Sequence, residues 1–170
     1  MATTRRTRTI AAPPQAVWAT VGDPHHLPRW WPRVSRVERV DARGFTEVLT
    51  TDRGRSVRAD FRLKERRAPE LCRWTQDVDG TPFERILSAS ETEVRLAPAA
   101  GGTRVMLQLR QRLRGTARLG GFLVRRAARR QLDEALDALG RLYDAGAPGT
   151  GRPARPHGAS PPARASRPDG

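Results

Sequence analysis

The stretch GGFLVRRAARRQLDEALDALGRLY, residues 120–143, decides the fold of this chain. At about 100° per residue its apolar side chains fall on one half of a helix, and most of its charged side chains fall on the other. A helix of about 22 residues within this stretch is about 33 Å long, roughly the width of a small domain. The apolar half consists of Val124, Ala127, Ala128, Leu132, Ala135, Leu136, Leu139, Leu142 and Tyr143. Because the preceding segments are typical of strands, we predict one long helix laid across a curved antiparallel sheet.

Two polar residues, Arg125 and Gln131, interrupt the apolar half of this helix. In one interpretation Arg125 belongs to a frayed first turn and Gln131 bonds a backbone group. In the other, the helix faces a partly hollow interior in which a few polar groups orient a bound molecule. The second interpretation makes both residues candidates for ligand binding.

Composition separates the chain into a domain and a tail. The 170 residues suffice for one domain with a hydrophobic core. Residues 146–170 are almost entirely Gly, Pro, Ala, Ser and Arg, without hydrophobic periodicity, so they cannot bury enough apolar surface to offset their ordering entropy. We therefore predict a folded domain of residues 1–145 and a disordered tail of residues 146–170.

The formal net charge of +14 comes almost wholly from arginine, since Lys64 is the single lysine. Such usage can reflect the nucleotide composition of the source genome. A basic surface attracts nucleic acid or anionic membranes. However, no zinc-finger, homeodomain or RNA-recognition signature is present, and aromatic residues make up only 5% of the chain. These observations disfavour a nucleic-acid partner.

The sequence also lacks the signals of several other protein classes. Cys72 is the single cysteine, so neither an internal disulfide nor a cysteine-based metal site is available. There is no apolar run of membrane-spanning length, and the basic N-terminus has no apolar signal-peptide core. We predict a cytoplasmic protein with no metal, no cofactor and no transmembrane segment.

Before the long helix, period-2 patterns and turn residues predict a sheet of about six to seven strands. The first strand, residues 3–10, is followed by two short helices at residues 15–21 and 25–31. Imperfect alternation at residues 34–40 indicates a bulge, and a glycine pair at residues 101–102 marks a hairpin turn. The other predicted strands are residues 45–51, 56–63, 71–76, 83–89, 91–96 and 103–113. The fold class is α+β, because the helices cover one side of an antiparallel sheet.

Several short motifs carry a family resemblance. They are Ile10-Ala11-Ala12-Pro13, Val17-Trp18, Val21-Gly22-Asp23, Leu27, Trp30-Trp31-Pro32, Val34 and Gly102-Thr103-Arg104-Val105. In this order, and followed by a long amphipathic helix, they resemble the START-like superfamily, also called SRPBCC. Within it they are most similar to the polyketide cyclase/dehydrase and lipid-transport branch. The resemblance extends over residues 3–143.

This resemblance implies a helix-grip fold, in which the sheet wraps around the last helix and a hydrophobic tunnel lies between them. Members of the superfamily bind lipids, polyketides, plant hormones or quinones, and some cyclise or dehydrate aromatic polyketide intermediates. Fold alone does not select among these activities.

Ligand-binding candidates come from the predicted concave surface. Trp30 and Trp31 are adjacent on a helical turn and so point in different directions; the resemblance places this segment at the cavity mouth, although core packing explains both residues equally simply. Ala59 is small between larger neighbours and leaves room for a bound molecule. The other candidates on the concave face are Phe45, Phe61, Trp74, Phe83 and Leu107, and an ordinary filled core remains the alternative for most of them.

Candidates for acid–base catalysis are few. Glu47 has the same strand parity as Phe45 and Leu49, so it enters the cavity if they face inward, and burial would then raise its pKa. The alternative is a register bulge that leaves Glu47 in solvent. His26 is a weaker candidate, since the His25-His26 pair is typical of an exposed turn. No Ser-His-Asp set, metal-ligand cluster or phosphate-binding glycine loop is visible.

Four arginines, Arg125, Arg126, Arg129 and Arg130, cluster near the start of the long helix, where the helix dipole disfavours cations. One interpretation is a solvated face, and the other is contact with anionic lipid headgroups.

The leading functional hypothesis is binding of a hydrophobic or aromatic small molecule, such as a polyketide or lipid, in a cavity between the sheet and the C-terminal helix. The alternative is a polyketide aromatase/cyclase that acts in the same cavity. A third hypothesis is a basic adaptor for membrane or nucleic acid.

Overall fold

In a computed structural model, which describes residues 1–51, 53–115 and 120–144, seven strands form one antiparallel sheet in the order β1-β7-β6-β5-β4-β3-β2. The strands are β1 (Ala2–Ile10), β2 (Val34–Glu38), β3 (Gly44–Thr50), β4 (Ser56–Arg67), β5 (Leu71–Gln76), β6 (Leu87–Ala99) and β7 (Gly102–Leu113). The helices are α1 (Pro14–Val21), α2 (Leu27–Trp30) and α3 (Gly121–Asp144). This confirms the predicted α+β helix-grip architecture, with α3 as its long terminal helix. The predicted tail, residues 146–170, lies outside the described residues.

The strand register confirms one predicted irregularity and corrects another prediction. The β2–β3 pairing shifts between Val34 and Arg36, as the imperfect alternation indicated. The two short strands predicted at residues 83–89 and 91–96 are wrong: Pro82–Arg85 is a 3-10 helix, and β6 is one long strand. The helix begins there because the Thr81 hydroxyl accepts a hydrogen bond from the Phe83 amide at 3.3 Å and proline follows as the first helical residue.

From Ala128 onward, α3 is fixed to the rest of the domain on three sides. Its buried residues, which enter the hydrophobic core beside the sheet, are Ala128, Leu132, Ala135, Leu136, Leu139 and Gly140. On one flank, Asp133 and Asp137 form ion pairs with Arg6 and Arg8 of β1. At the end of the helix, the Tyr143 hydroxyl donates to the Ala16 carbonyl at 2.8 Å.

The first half of α3 is packed less tightly. Ala128 is its first buried residue, and Phe122 and Leu123 are 63% and 56% exposed. Space therefore remains between this half of the helix and the concave face of the sheet.

Candidate ligand-binding site

A cavity of about 870 Å³ occupies this space between the first half of α3 and the sheet. Its volume falls within the range of about 300–1,000 Å³ that is typical of small-molecule sites. Strands β3 to β7 form its floor, α3 covers it, and the segment Trp31-Pro32-Arg33 closes a third side.

The polarity of the floor rises stepwise along the strands. Three successive rows of paired residues cross β5, β6 and β7: Cys72–Val94–Leu107, Trp74–Thr92–Leu109 and Gln76–Ser90–Gln111. The first row belongs to the hydrophobic core, and the second and third rows line the cavity. Every second residue of a strand points to the same face, so one face of the sheet changes from core to binding surface over two steps.

Aromatic rings provide the flat surfaces of the cavity. Trp31, Phe61, Trp74 and Phe83 all line it. Trp31 and Trp74 meet edge to face, with ring centroids 6.4 Å apart and an interplanar angle of 70°. Trp30 packs edge to face against Trp31, with ring centroids 5.3 Å apart, and does not itself line the cavity. Rings held in this way offer stacking and edge contacts to an aromatic molecule.

Five neutral polar side chains line the cavity: Gln76, Ser90, Thr92, Gln111 and Gln131. Within the part of the chain that the structure describes, none of the five forms a side-chain hydrogen bond with another protein group. Each is therefore able to donate to, or accept from, a bound molecule. Four of them were missed at the level of sequence, although Gln76, Ser90, Thr92 and Gln111 continue the inward parity of apolar residues on their strands.

Glu47 is the acidic group in the interior of this cavity. Its side chain enters from β3 and is 2% exposed, opposite Ala59 of β4. Its Oε1 atom is buried and, among the described residues, has no hydrogen-bond partner. Burial raises the pKa of the Glu47 carboxyl from 4.5 to about 8, because among the described residues no cation compensates the ionised form for its lost hydration. At neutral pH this group is a protonated carboxylic acid.

Charged groups line the cavity where α3 and the Trp31-Pro32-Arg33 segment face each other: Arg33, Arg126, Arg130 and Glu134. All four are exposed, so they belong to the rim. Arg130 donates to Glu134 at 2.7 Å along the helix. Arg125, the arginine that the helical pattern predicts as a ligand-binding residue, is exposed and does not line the cavity. Consecutive side chains of a helix point about 100° apart, so Arg126 reaches the rim while Arg125 points elsewhere.

Comparison with protein families matches residues 1–144 to the family described as polyketide cyclase / dehydrase and lipid transport. The chain belongs to this family. The expected resemblance is thereby confirmed, and the helix-grip architecture agrees with it. No curated protein matches the chain in sequence.

Solved structures similar to this family member share its fold. A START superfamily protein from Mycobacterium smegmatis superposes with a TM-score of 0.68 at 14% identity, over 84% of this chain and 97% of the other. A protein from Thermus thermophilus superposes with a TM-score of 0.67 at 23% identity, over 86% of this chain and 99% of the other. The di-domain ARO/CYC StfQ of the steffimycin biosynthetic pathway superposes with a TM-score of 0.69 at 14% identity, over 85% of this chain and 51% of the other.

This member of the polyketide cyclase/dehydrase family has a second, smaller cavity of about 290 Å³. It lies between the α1–α2 connection, the β2–β3 turn and the paired strands β4 and β5. Its lining is mostly apolar and includes Leu27, Phe45, Leu63 and Cys72. Burial raises the pKa of the Cys72 thiol to about 11, so the thiol is neutral there.

Several predicted site residues lie outside the large cavity. Phe45 lines the small cavity, while Ala59 and Leu107 are packed into the buried interior and line neither. His26 lines neither cavity, and its Nδ1 atom hydrogen-bonds the Ala19 carbonyl oxygen at 3.0 Å. Strand parity correctly identified which side chains face inward. It did not identify the point on each strand at which the filled core ends and the cavity begins.

Two other kinds of feature are absent from the described part of the chain. In residues 1–51, 53–115 and 120–144, no group of three His, Cys, Asp or Glu side chains is arranged to hold a metal ion. Over the same residues, none of the helices combines the length and the apolar character needed to cross a bilayer.

Proposed function

We propose that this protein binds an aromatic or conjugated hydrophobic molecule that carries ketone or hydroxyl oxygens. The bound molecule would place its rings against Trp31, Trp74 and Phe83 and its oxygens toward the polar floor. The observation that carries the proposal is Glu47, a buried carboxyl that faces the cavity and has one oxygen without a hydrogen-bond partner in the described part of the chain.

The energetics favour a ligand of mixed polarity over a plain hydrocarbon. A buried polar group without a hydrogen bond costs about 1–3 kcal/mol, and an apolar ligand would leave Glu47 and the neighbouring amides and hydroxyls in that state. A protonated carboxyl donates one hydrogen bond and accepts others, so it can pair with a ketone or a hydroxyl. The aromatic surfaces supply the desolvation free energy.

The test uses prodan, a neutral fluorescent naphthyl ketone. Its affinity for the unaltered protein is expected to fall about tenfold between about pH 6 and about pH 10, because ionised Glu47 can no longer donate to the ketone. In Glu47→Gln the amide keeps a donor at every pH, so its affinity should not change over this range. If the prodan affinity of both proteins depended on pH in the same way, Glu47 would not be the group that contacts the ketone.

A pair of bulky substitutions tests the location. Thr92→Trp fills the cavity from its floor and should abolish prodan binding while the circular dichroism spectrum is retained. Thr75→Trp, on the neighbouring strand and outside both linings, is the matched control and should bind prodan normally. Unchanged binding by a folded Thr92→Trp protein would contradict the proposed location.

A second candidate function is cyclisation of a polyketide chain in the same cavity. Glu47 favours it, because an acid with a pKa near the working pH is suited to proton transfer. In this step the enol form of one β-ketone unit would attack the carbonyl carbon of another. The carbonyl π bond would break, Glu47 would give its proton to that ketone oxygen, and the enol O–H proton would return to the Glu47 carboxylate. A linear poly-β-ketone thioester should then yield a cyclised product by mass spectrometry, and Glu47→Gln should lose this turnover while Glu70→Gln, an exposed acid elsewhere, keeps it. Turnover that survives in Glu47→Gln would exclude this role.

The start of α3 supports a further proposal, contact with an anionic membrane. Phe122 and Leu123 are exposed apolar side chains next to the four clustered arginines, a combination that suits insertion beside acidic headgroups. Co-sedimentation with phosphatidylserine-containing vesicles should weaken in Arg129→Glu and persist in Arg141→Glu, which changes an exposed arginine at the other end of the same helix. Equal binding to purely zwitterionic vesicles would contradict it.

A further inference from the structure

The large and the small cavity are adjacent: the Phe45 ring, which lines the small cavity, stacks on the Phe61 ring, which lines the large one, and a third ring borders both. Trp74 is the one described residue that lines both. It projects from β5, is 3% exposed, and meets Trp31 on the large-cavity side and Phe45 on the small-cavity side, with centroid distances of 6.4 and 6.0 Å. The indole is therefore a partition across a longer internal space.

We propose that Trp74 sets the depth of the ligand site: it closes the inner end of the large cavity, and the small cavity behind it is the space that a longer ligand would occupy. This inference rests on the proposed function, because it assumes that the large cavity receives a ligand. It adds a specificity rule, namely that the length of the apolar part of the ligand is limited at Trp74.

The chemistry of the small cavity fits the end of an apolar molecule. Leu27, Leu63 and the neutral Cys72 thiol offer no strong hydrogen-bonding group to a polar head. Two polar groups of its lining, the Asp23 and Asp41 carboxylates, accept hydrogen bonds from neighbouring backbone amides. The Arg66 guanidinium, which also lines the small cavity, is held over the Trp18 ring at 5.8 Å from the ring centroid. Removal of the indole would join an apolar extension to the aromatic part of the large cavity.

Packing holds the partition in place. Among the residues that the structure describes, none hydrogen-bonds the Trp74 indole, which is fixed by its edge-to-face contacts with Trp31 and Phe45. A smaller side chain at this position opens the passage without leaving a buried polar partner unpaired.

The experiment measures the affinities of rigid rod acids: benzoate, biphenyl-4-carboxylate and para-terphenyl-4-carboxylate, by displacement of prodan. Rigid rods cannot fold back, so their affinity should rise with length until the rod reaches Trp74 and then fall. In Trp74→Leu the first rod that is too long for the unaltered protein should bind about tenfold more tightly, while the shorter rods change little. Trp74→Phe should give a smaller gain of the same sign.

Two controls separate depth from general loosening. Phe83→Leu widens the large cavity without touching the small one and should not move the length limit. Adding Leu63→Trp to Trp74→Leu refills the small cavity and should restore the limit. Circular dichroism establishes that each variant is folded.

The outcomes are distinct. If the unaltered protein binds neither prodan nor any rod, the proposed function fails. If it binds prodan but shows no length limit across the series, the role of Trp74 is overturned without the need for any variant. A limit that stays in place in folded Trp74→Leu or Trp74→Phe, or that moves equally in Phe83→Leu, overturns it as well.

Discussion

Glu47 combines two properties that a purely structural residue seldom has: it is ionisable, and it is buried with one oxygen that no described residue hydrogen-bonds. In the unfolded chain its pKa is near 4.5, and burial raises the pKa in the folded state to about 8. Between these two values the folded protein holds a proton that the unfolded chain releases. Glu47 therefore lowers the stability of the fold as pH rises through this window, which is unusual for a carboxyl group.

We expect the free energy of unfolding of the unaltered protein, relative to Glu47→Gln, to fall by a few kcal/mol from about pH 5 to about pH 9. The glutamine has no proton to lose, so it supplies the reference for all other titrating groups. Urea unfolding at several pH values measures this difference. A constant difference across the range would mean that Glu47 ionises normally, with its carboxylate in contact with solvent.

At the scale of residues, strand parity carried most of the information about this site. Glu47 shares the parity of Phe45 and Leu49, and that pattern placed it inward, where the structure has it. The same rule applied to β5, β6 and β7 would have identified Gln76, Ser90 and Gln111. What parity cannot give is the distance from a residue to the end of the core, which depends on where α3 leaves the sheet.

The Tyr143 phenol links the end of α3 to α1 by hydrogen bonds. The Tyr143 hydroxyl donates to the Ala16 carbonyl and accepts from Thr20 at 2.7 Å, so it joins α3 to α1. Tyr143→Phe should lower the free energy of unfolding by about 1–2 kcal/mol. Urea denaturation of Tyr143→Phe, Thr20→Val and the double variant gives a double-mutant cycle. The changes in the free energy of unfolding at the two positions should be coupled. Additive effects would mean that the pair does not interact.

The β6–β7 hairpin supplies a matched pair of glycines. Gly102 has φ +139°, and a Cβ there would lie 2.0 Å from the Ile10 carbonyl oxygen, whereas Gly101 has φ +81° and open space around it. Gly101→Ala should cost about 1 kcal/mol of backbone strain. Gly102→Ala should cost at least about 2 kcal/mol more, because β1 must move away from β7. Thermal unfolding measures both, and equal melting temperatures would contradict the close approach of the strands.

Elements were predicted well where the pattern was long and poorly where it was short. The 24 residues of α3 and the clean alternation of β4 gave unambiguous periods. The segment around Phe83 did not, because a few apolar residues after a turn fit a strand as well as a helical turn, and the Thr81 cap decides between them only locally. The length of β6 depends on pairing with β5 and β7, which no local pattern contains.

At the scale of the whole molecule, the interior changes from a closed core to a ligand cavity along the direction of the strands. The core end is filled where α1 and the second half of α3 cover the sheet, and the cavity opens beneath the first half of α3. The family resemblance predicted this hollow, whereas composition and periodicity alone fit a solid core equally well. A row of apolar side chains has the same sequence pattern whether its neighbours fill the space or leave it empty.

The predicted boundary between the domain and the tail, at residue 145, can be tested by truncation. Residues 146–170 carry four arginines against one aspartate, so their removal lowers the formal net charge from +14 to +11 and leaves the described sheet and α3 intact. We expect a chain ending at residue 145 to keep its melting temperature, because the removed segment has no apolar periodicity with which to pack. Vesicle binding should persist as well, since the exposed side chains assigned to that contact belong to α3. A lower melting temperature would show that the segment packs on the domain, and a loss of vesicle binding alone would assign the membrane contact to its arginines.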